Sequence, residues 1–103
     1  MILDEICAYQ RDEVDRCKLA RPLAEVQEAI ERAPAPRDFR GALRQDGISL
    51  IAEVKKASPV RGTFLEGVEP VDLGALYEQS GARAISVLTN ERFFKGSLDD
   101  LVS

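Results

Sequence analysis

A chain of 103 residues has room for one modest domain with a small core. Its 45% hydrophobic and 31% charged content fits a folded soluble protein and argues against disorder. The net charge of −4 speaks against sequence-independent nucleic-acid binding, and no apolar run approaches the roughly 20 residues of a membrane span.

In chain order, Ile2 to about Leu19 reads as an amphipathic helix, with Leu3, Ile6, Cys7, Val14 and Cys17 recurring at helical spacing among charged residues. A second helix follows, with Pro22 at a first-turn position and Leu23, Val26 and Ile30 as its stripe, until Pro34 and Pro36 break it. Asp38 is placed to cap a short helix through Phe39, Ala42 and Leu43, and Asp46-Gly47 then turns the chain. From Ile48 the pattern changes. Ile48–Val54 predicts a strand, and Pro70, Leu73, Leu76, Tyr77 and the stop signal Gly81 predict a helix. Ala82–Leu88 predicts a second strand, apolar on both faces as parallel strands are. TNERFFKGS then reads as a loop, and Ser97 as the cap of a helix beginning LDDLV.

The expected organisation is a helical extension over residues 1–47 and a βαβ unit over residues 48–103. Two parallel strands and one helix cannot cover both sheet faces or pair both edges. The chain therefore reads as the opening portion of a larger α/β protein.

Cys7 and Cys17 stand ten positions apart on one predicted helix, about 15 Å of rise and beyond disulfide reach. There is no histidine to build a zinc finger or a Ser-His-Asp triad. The amino terminus carries acids near its start and no apolar block before a small-residue cleavage site. A reducing, cytoplasmic setting is expected, with no membrane partner.

LIAEVKKASPVRG is the segment that carries chemistry. Strand alternation puts Ile51, Glu53 and Lys55 on one face and Leu50, Ala52 and Val54 on the other. A carboxylate and an ammonium then project together from the carboxyl end of a strand, where α/β folds bind ligands. An ordinary ion pair is the alternative. Lys56 should point the other way, as a solvated surface lysine. Ser58, Arg61 and Gly62 lie in a loop able to hold an anion through backbone N–H groups, a hydroxyl and a guanidinium, or simply to turn the chain. It is not a Walker motif. Phe93-Phe94 in the second loop would either pack beneath it or wall an aromatic substrate.

IAEVKKASPVRG, followed by AISVLT and FFKGS, closely resembles indole-3-glycerol phosphate synthase, and ILDEI, ARPL and PRDFRGAL resemble the amino-terminal extension of that family. The resemblance implies an α/β fold, a (β/α)8 TIM barrel preceded by extra helices, of which this chain would hold the extension and the first two strands. It implies a cofactor- and metal-free ring closure of a sugar-phosphate substrate with an anthranilate moiety, 1-(2-carboxyphenylamino)-1-deoxyribulose 5-phosphate, with decarboxylation and dehydration. By position, Glu53 matches a glutamate that assists proton transfer, and Lys55 a lysine with electrostatic or acid roles. Ser58 matches a loop serine near the substrate, and Phe94 an aromatic lining the pocket. The family commonly reads SPSKG where this chain has SPVRG, and Asn90 stands in place of a common acid. The family's second lysine, second glutamate, pocket asparagine and later phosphate loops belong to later strands. The 103 residues alone are thus expected to be inactive and to associate with the remaining barrel or with themselves. The rival readings are a non-catalytic interaction module or truncated pseudo-enzyme, and another sugar-phosphate barrel enzyme.

Overall fold

The computed structural model describes residues 1–63 and 66–103, which separate into two compact units, Met1–Pro36 and Arg37–Ser103. The first unit is two helices, α1 (Ile2–Ala20) and α2 (Leu23–Arg32). Asp4 and Glu5 in the first turn of α1 and Lys18 in its last turn complement the helix dipole. Pro22 is the N-cap of α2 rather than part of its first turn, and its carbonyl accepts from Glu25 N (3.0 Å) and Val26 N (3.3 Å). The helix stops at Ala33, whose ψ of 147° is the extended conformation that a following proline imposes. Neither helix buries a residue, and Leu3, Leu23 and Ile30 of the expected stripes stand exposed. Cys7 and Cys17 are both free thiols.

The second unit opens with α3 (Phe39–Leu43), capped as expected by Asp38, whose Oδ1 accepts from Gly41 N at 2.9 Å. Helix α3 packs against the second unit's parallel sheet, so contacts group it with the strands rather than with the two preceding helices. Strand β1 (Ile51–Val54) pairs in parallel with β4 (Ala84–Val87), in the register Ile51↔Ala84 to Val54↔Val87. Helix α4 (Pro70–Gln79) crosses between them, with Pro70 in its first turn. Its end is a Schellman motif: Ala82 N donates to Tyr77 O and Gly81 N to Glu78 O, with Gly81 at φ 101°.

Both strands are shorter than their apolar runs. Residues 82 and 83 close the helix and grip the preceding turn. Arg83 donates through Nη1 to Gln45 O (2.9 Å) and Ser49 Oγ (2.8 Å), and through Nη2 to Asp46 O (2.6 Å). Pairing therefore starts only where Arg83 N and Ala84 N reach Leu50 O, and Ile48 is left almost wholly exposed.

One sheet face carries Ala52, Val54, Ile85 and Val87. Together with α4 and α6 (Leu98–Val102), Val54, Ile85 and Val87 line a shared space of about 400 Å³. Gly74 of α4 lies over Ile85, where a Cβ would meet its Cδ1 at 3.8 Å, an ordinary van der Waals contact. The buried hydrophobic core among the described residues is Val54 and Ala57. The other face carries Ile51, Glu53, Ala84 and Ser86 and is open enough to leave Ile51 48% exposed.

Candidate active site

Alternation in β1 sends Glu53 to the open face, and the chain leaving the strand brings Lys55 back to it. Lys55 Nζ lies 3.7 Å from Glu53 Oε1, with the two side chains 39% and 42% exposed. On the neighbouring strand the register partner of Glu53 is Ser86, whose Oγ donates to Glu53 Oε2 at 3.2 Å. The two carboxylate oxygens thus have separate partners, an ammonium on one and a hydroxyl on the other.

Lys56 points the other way, as alternation requires, but it is not the solvated lysine that was expected. Its Nζ pairs with Asp100 Oδ2 at 2.8 Å, with the two side chains 26% and 14% exposed. The hydrogen bond from Lys56 holds the Asp100 carboxyl below its ordinary range. Asp100 is itself fixed by the cap of α6, where Ser97 Oγ accepts from Asp100 N at 3.1 Å. Two adjacent lysines are therefore drawn to opposite sides of the sheet.

After the strand, the ASPVRG segment forms a tight hairpin: β2 (Ala57–Ser58) pairs antiparallel with β3 (Gly62–Thr63). Ser58 Oγ accepts from Arg61 N at 3.1 Å, which closes the turn. That N–H is therefore committed within the loop and is not among the donors open to an anion. Gly62 sits at φ 67° with nothing within 4 Å of where a Cβ would lie, so its backbone conformation, not packing, calls for glycine. Lys55, Ser58, Val60 and Arg61 line a cleft of about 400 Å³.

The second loop holds a helical turn that the residue pattern did not suggest. Helix α5 (Glu91–Phe94) is capped by Asn90, whose Oδ1 accepts from Phe93 N at 2.9 Å. Phe93 and Phe94 are both half-buried, with the Arg92 guanidinium 5.1 Å from the Phe93 ring centroid. Helix α5 packs against β2, and Lys95 Nζ donates to Thr63 Oγ1, so the two loops meet. Gly96 lets the second loop close on its own start: a Cβ there would lie 1.9 Å from Leu88 O.

Of the residues singled out in the sequence, the structure joins Glu53 to Lys55, and joins Lys55, Ser58 and Arg61 around one cleft. Phe94 stands on the helix that packs against the hairpin. Sequence reading missed Ser86, the Lys56–Asp100 pair and Lys95. Alternation in ARAISVL could have placed Ser86 on the face of Glu53 once the strand register was known. Among the described residues no cluster of three or more His, Cys, Asp or Glu side chains could hold a metal ion, and no helix is long and apolar enough to cross a membrane.

The profile of the family described as indole-3-glycerol phosphate synthase matches residues 3–103. An indole-3-glycerol phosphate synthase from Mycolicibacterium gilvum (strain PYR-GCK) is 52% identical over 100 residues, a match covering 97% of this chain and 37% of the relative. One from Roseiflexus sp. (strain RS-1) is 50% identical over 101 residues, covering 97% and 38%. A chloroplastic indole-3-glycerol phosphate synthase of Arabidopsis thaliana is 47% identical over 105 residues, covering 97% and 26%. The chain spans little more than a third of the length of the bacterial relatives it matches.

Proposed function

Because the chain belongs to the indole-3-glycerol phosphate synthase family, we propose that it supplies the opening strands and first catalytic pair of a synthase barrel. The whole protein would close 1-(2-carboxyphenylamino)-1-deoxyribulose 5-phosphate to indole-3-glycerol phosphate, releasing carbon dioxide and water. The observation that carries this reading is the Glu53–Lys55 pair, 3.7 Å apart at the carboxyl end of a parallel strand. In α/β barrels that end is where substrates bind.

Ring closure places negative charge on the oxygen of the attacked ribulose carbonyl, and an ammonium beside it stabilises that charge or protonates it. Lys55 takes this role. Loss of water then needs a proton on the departing hydroxyl and the loss of one from the neighbouring ring carbon. Glu53 orients Lys55 and passes protons near it. Ser58 and Arg61, which line the same cleft as Lys55, present a hydroxyl and a guanidinium to the anionic part of the substrate, with Gly62 setting the turn. Phe94 offers its ring to the anthranilate moiety. The open sheet face and the unpaired strand edges would be met by the later barrel strands, whose groups complete the pocket.

A chimera tests this. Residues 1–103 replace the matching part of the Mycolicibacterium gilvum relative, and cooperative unfolding and product formation are measured. A folded chimera that turns over the substrate supports the reading, and a folded chimera without turnover sinks it.

A further inference from the structure

We propose that Ser86 is a positioning residue of this site, its hydroxyl holding one oxygen of Glu53 so that the other is left to Lys55; this rests on the synthase reading above. Three observations carry it. Ser86 is the register partner of Glu53 across the parallel pair, its Oγ donates to Glu53 Oε2 at 3.2 Å, and Lys55 approaches the opposite oxygen, Oε1. The adjacent pair on the same face is Ile51 with Ala84, which offers no polar group, so on β4 the donor to this carboxylate comes from Ser86.

The physical need is rotational. The last torsion of a glutamate is broad and roughly two-fold, so a half-exposed carboxylate beside one ammonium turns to offer it both oxygens. Such a carboxylate would follow the lysine and hold it back from a substrate carbonyl. A hydroxyl fixed on a strand breaks that symmetry. It keeps Oε2 in place while Lys55 moves from Oε1 toward the substrate, and it leaves Glu53 aimed at the pocket when the lysine has gone. Ser86 touches no reacting atom in this account. It acts through Glu53.

The test uses the chimera with Ser86→Ala and Ser86→Thr. Loss of a hydrogen bond to a charged group predicts a fall in kcat of roughly tenfold or more for Ser86→Ala, with KM changed by less than about threefold. Ser86→Thr keeps the hydroxyl on a β-branched strand residue and should restore kcat to within about threefold. A merely structural serine would give unchanged kcat in the alanine variant, or a loss that threonine does not repair, and either result overturns the proposal. A second measurement needs no turnover. Urea unfolding of Ser86→Ala, Glu53→Ala and the double variant should give non-additive midpoints, and additive ones would refute the hold of Ser86 on Glu53. An unaltered chimera that folds without activity sinks the synthase reading instead, and the unfolding cycle then still decides the contact.

Discussion

Adding one methyl group at Gly96 should unseat the second loop. A Cβ there would stand 1.9 Å from Leu88 O, 2.7 Å from Leu88 C and 3.0 Å from Thr89 Cα. All three atoms are backbone, so no side chain can swing aside, and the two segments must part by roughly 1 Å before the first contact reaches even 3.0 Å. That shift breaks the bond from Gly96 N to Asn90 O, 2.8 Å long, and pulls Lys95 and the Ser97 cap out of place. Overpacking costs about 1–3 kcal/mol and a lost hydrogen bond about 1 kcal/mol, so Gly96→Ala should destabilise by about 2–4 kcal/mol. Urea unfolding of the chimera measures it, with Gly62→Ala as the control. At Gly62 nothing lies within 4 Å, and only left-handed backbone strain of about 1–2 kcal/mol is expected. A Gly96→Ala change below about 0.5 kcal/mol, or one smaller than that of Gly62→Ala, would refute the steric reasoning.

The two lysines should separate in kinetics: Lys55→Met in the chimera should lower turnover about 10²–10⁴-fold with circular dichroism unchanged. Lys56→Met should cost less than about tenfold in turnover but about 1 kcal/mol of stability, because it strands Asp100; if Lys56→Met is the dead variant, the assigned strand register is off by one. Phe94→Ala should weaken substrate binding by about 1 kcal/mol and matter less for an analogue without the aromatic ring, whereas equal losses would show that Phe94 only packs the loop. Asp100 is held below the ordinary 3.8 by Lys56, so its contribution is complete above that value and is lost as pH falls through the lower folded one. Acid titration of stability should therefore lose part of its slope below about pH 4 in Asp100→Asn, and an unchanged slope would show that the pair contributes nothing. The 103-residue chain alone, with only two parallel strands among its described residues, should form no product and should self-associate in sedimentation experiments; a monodisperse active monomer would contradict the barrel reading.

Local chemistry in the sequence was enough for the caps of α3 and α6, the limits of α4 and the alternation of β1, though not for the Asn90 cap of α5 or the place of Pro22. Asp38 and Ser97 cap the helices they precede, Pro70 and Gly81 bracket α4, and the two-residue period of β1 puts Glu53 beside Lys55 and turns Lys56 away. Each of these is decided within a few residues by backbone sterics or by orphan N–H and C=O groups, so a linear reading has the information it needs. Features joined across the chain were not legible. The strands stop short of their apolar runs because Arg83 closes onto carbonyls at Gln45 and Asp46, a contact spanning more than thirty positions. TNERFFKGS looked like a loop because its four-residue helix depends on the Asn90 cap and on packing against β2 more than on periodicity. Lys56 looked solvated because its partner, Asp100, sits on a helix that only the folded sheet brings near. Ser86 has no meaning as a serine in an apolar run. It gains one only when parallel pairing lays it across from Glu53, since sequence spacing sets which face a side chain takes, and tertiary packing alone sets what it meets there.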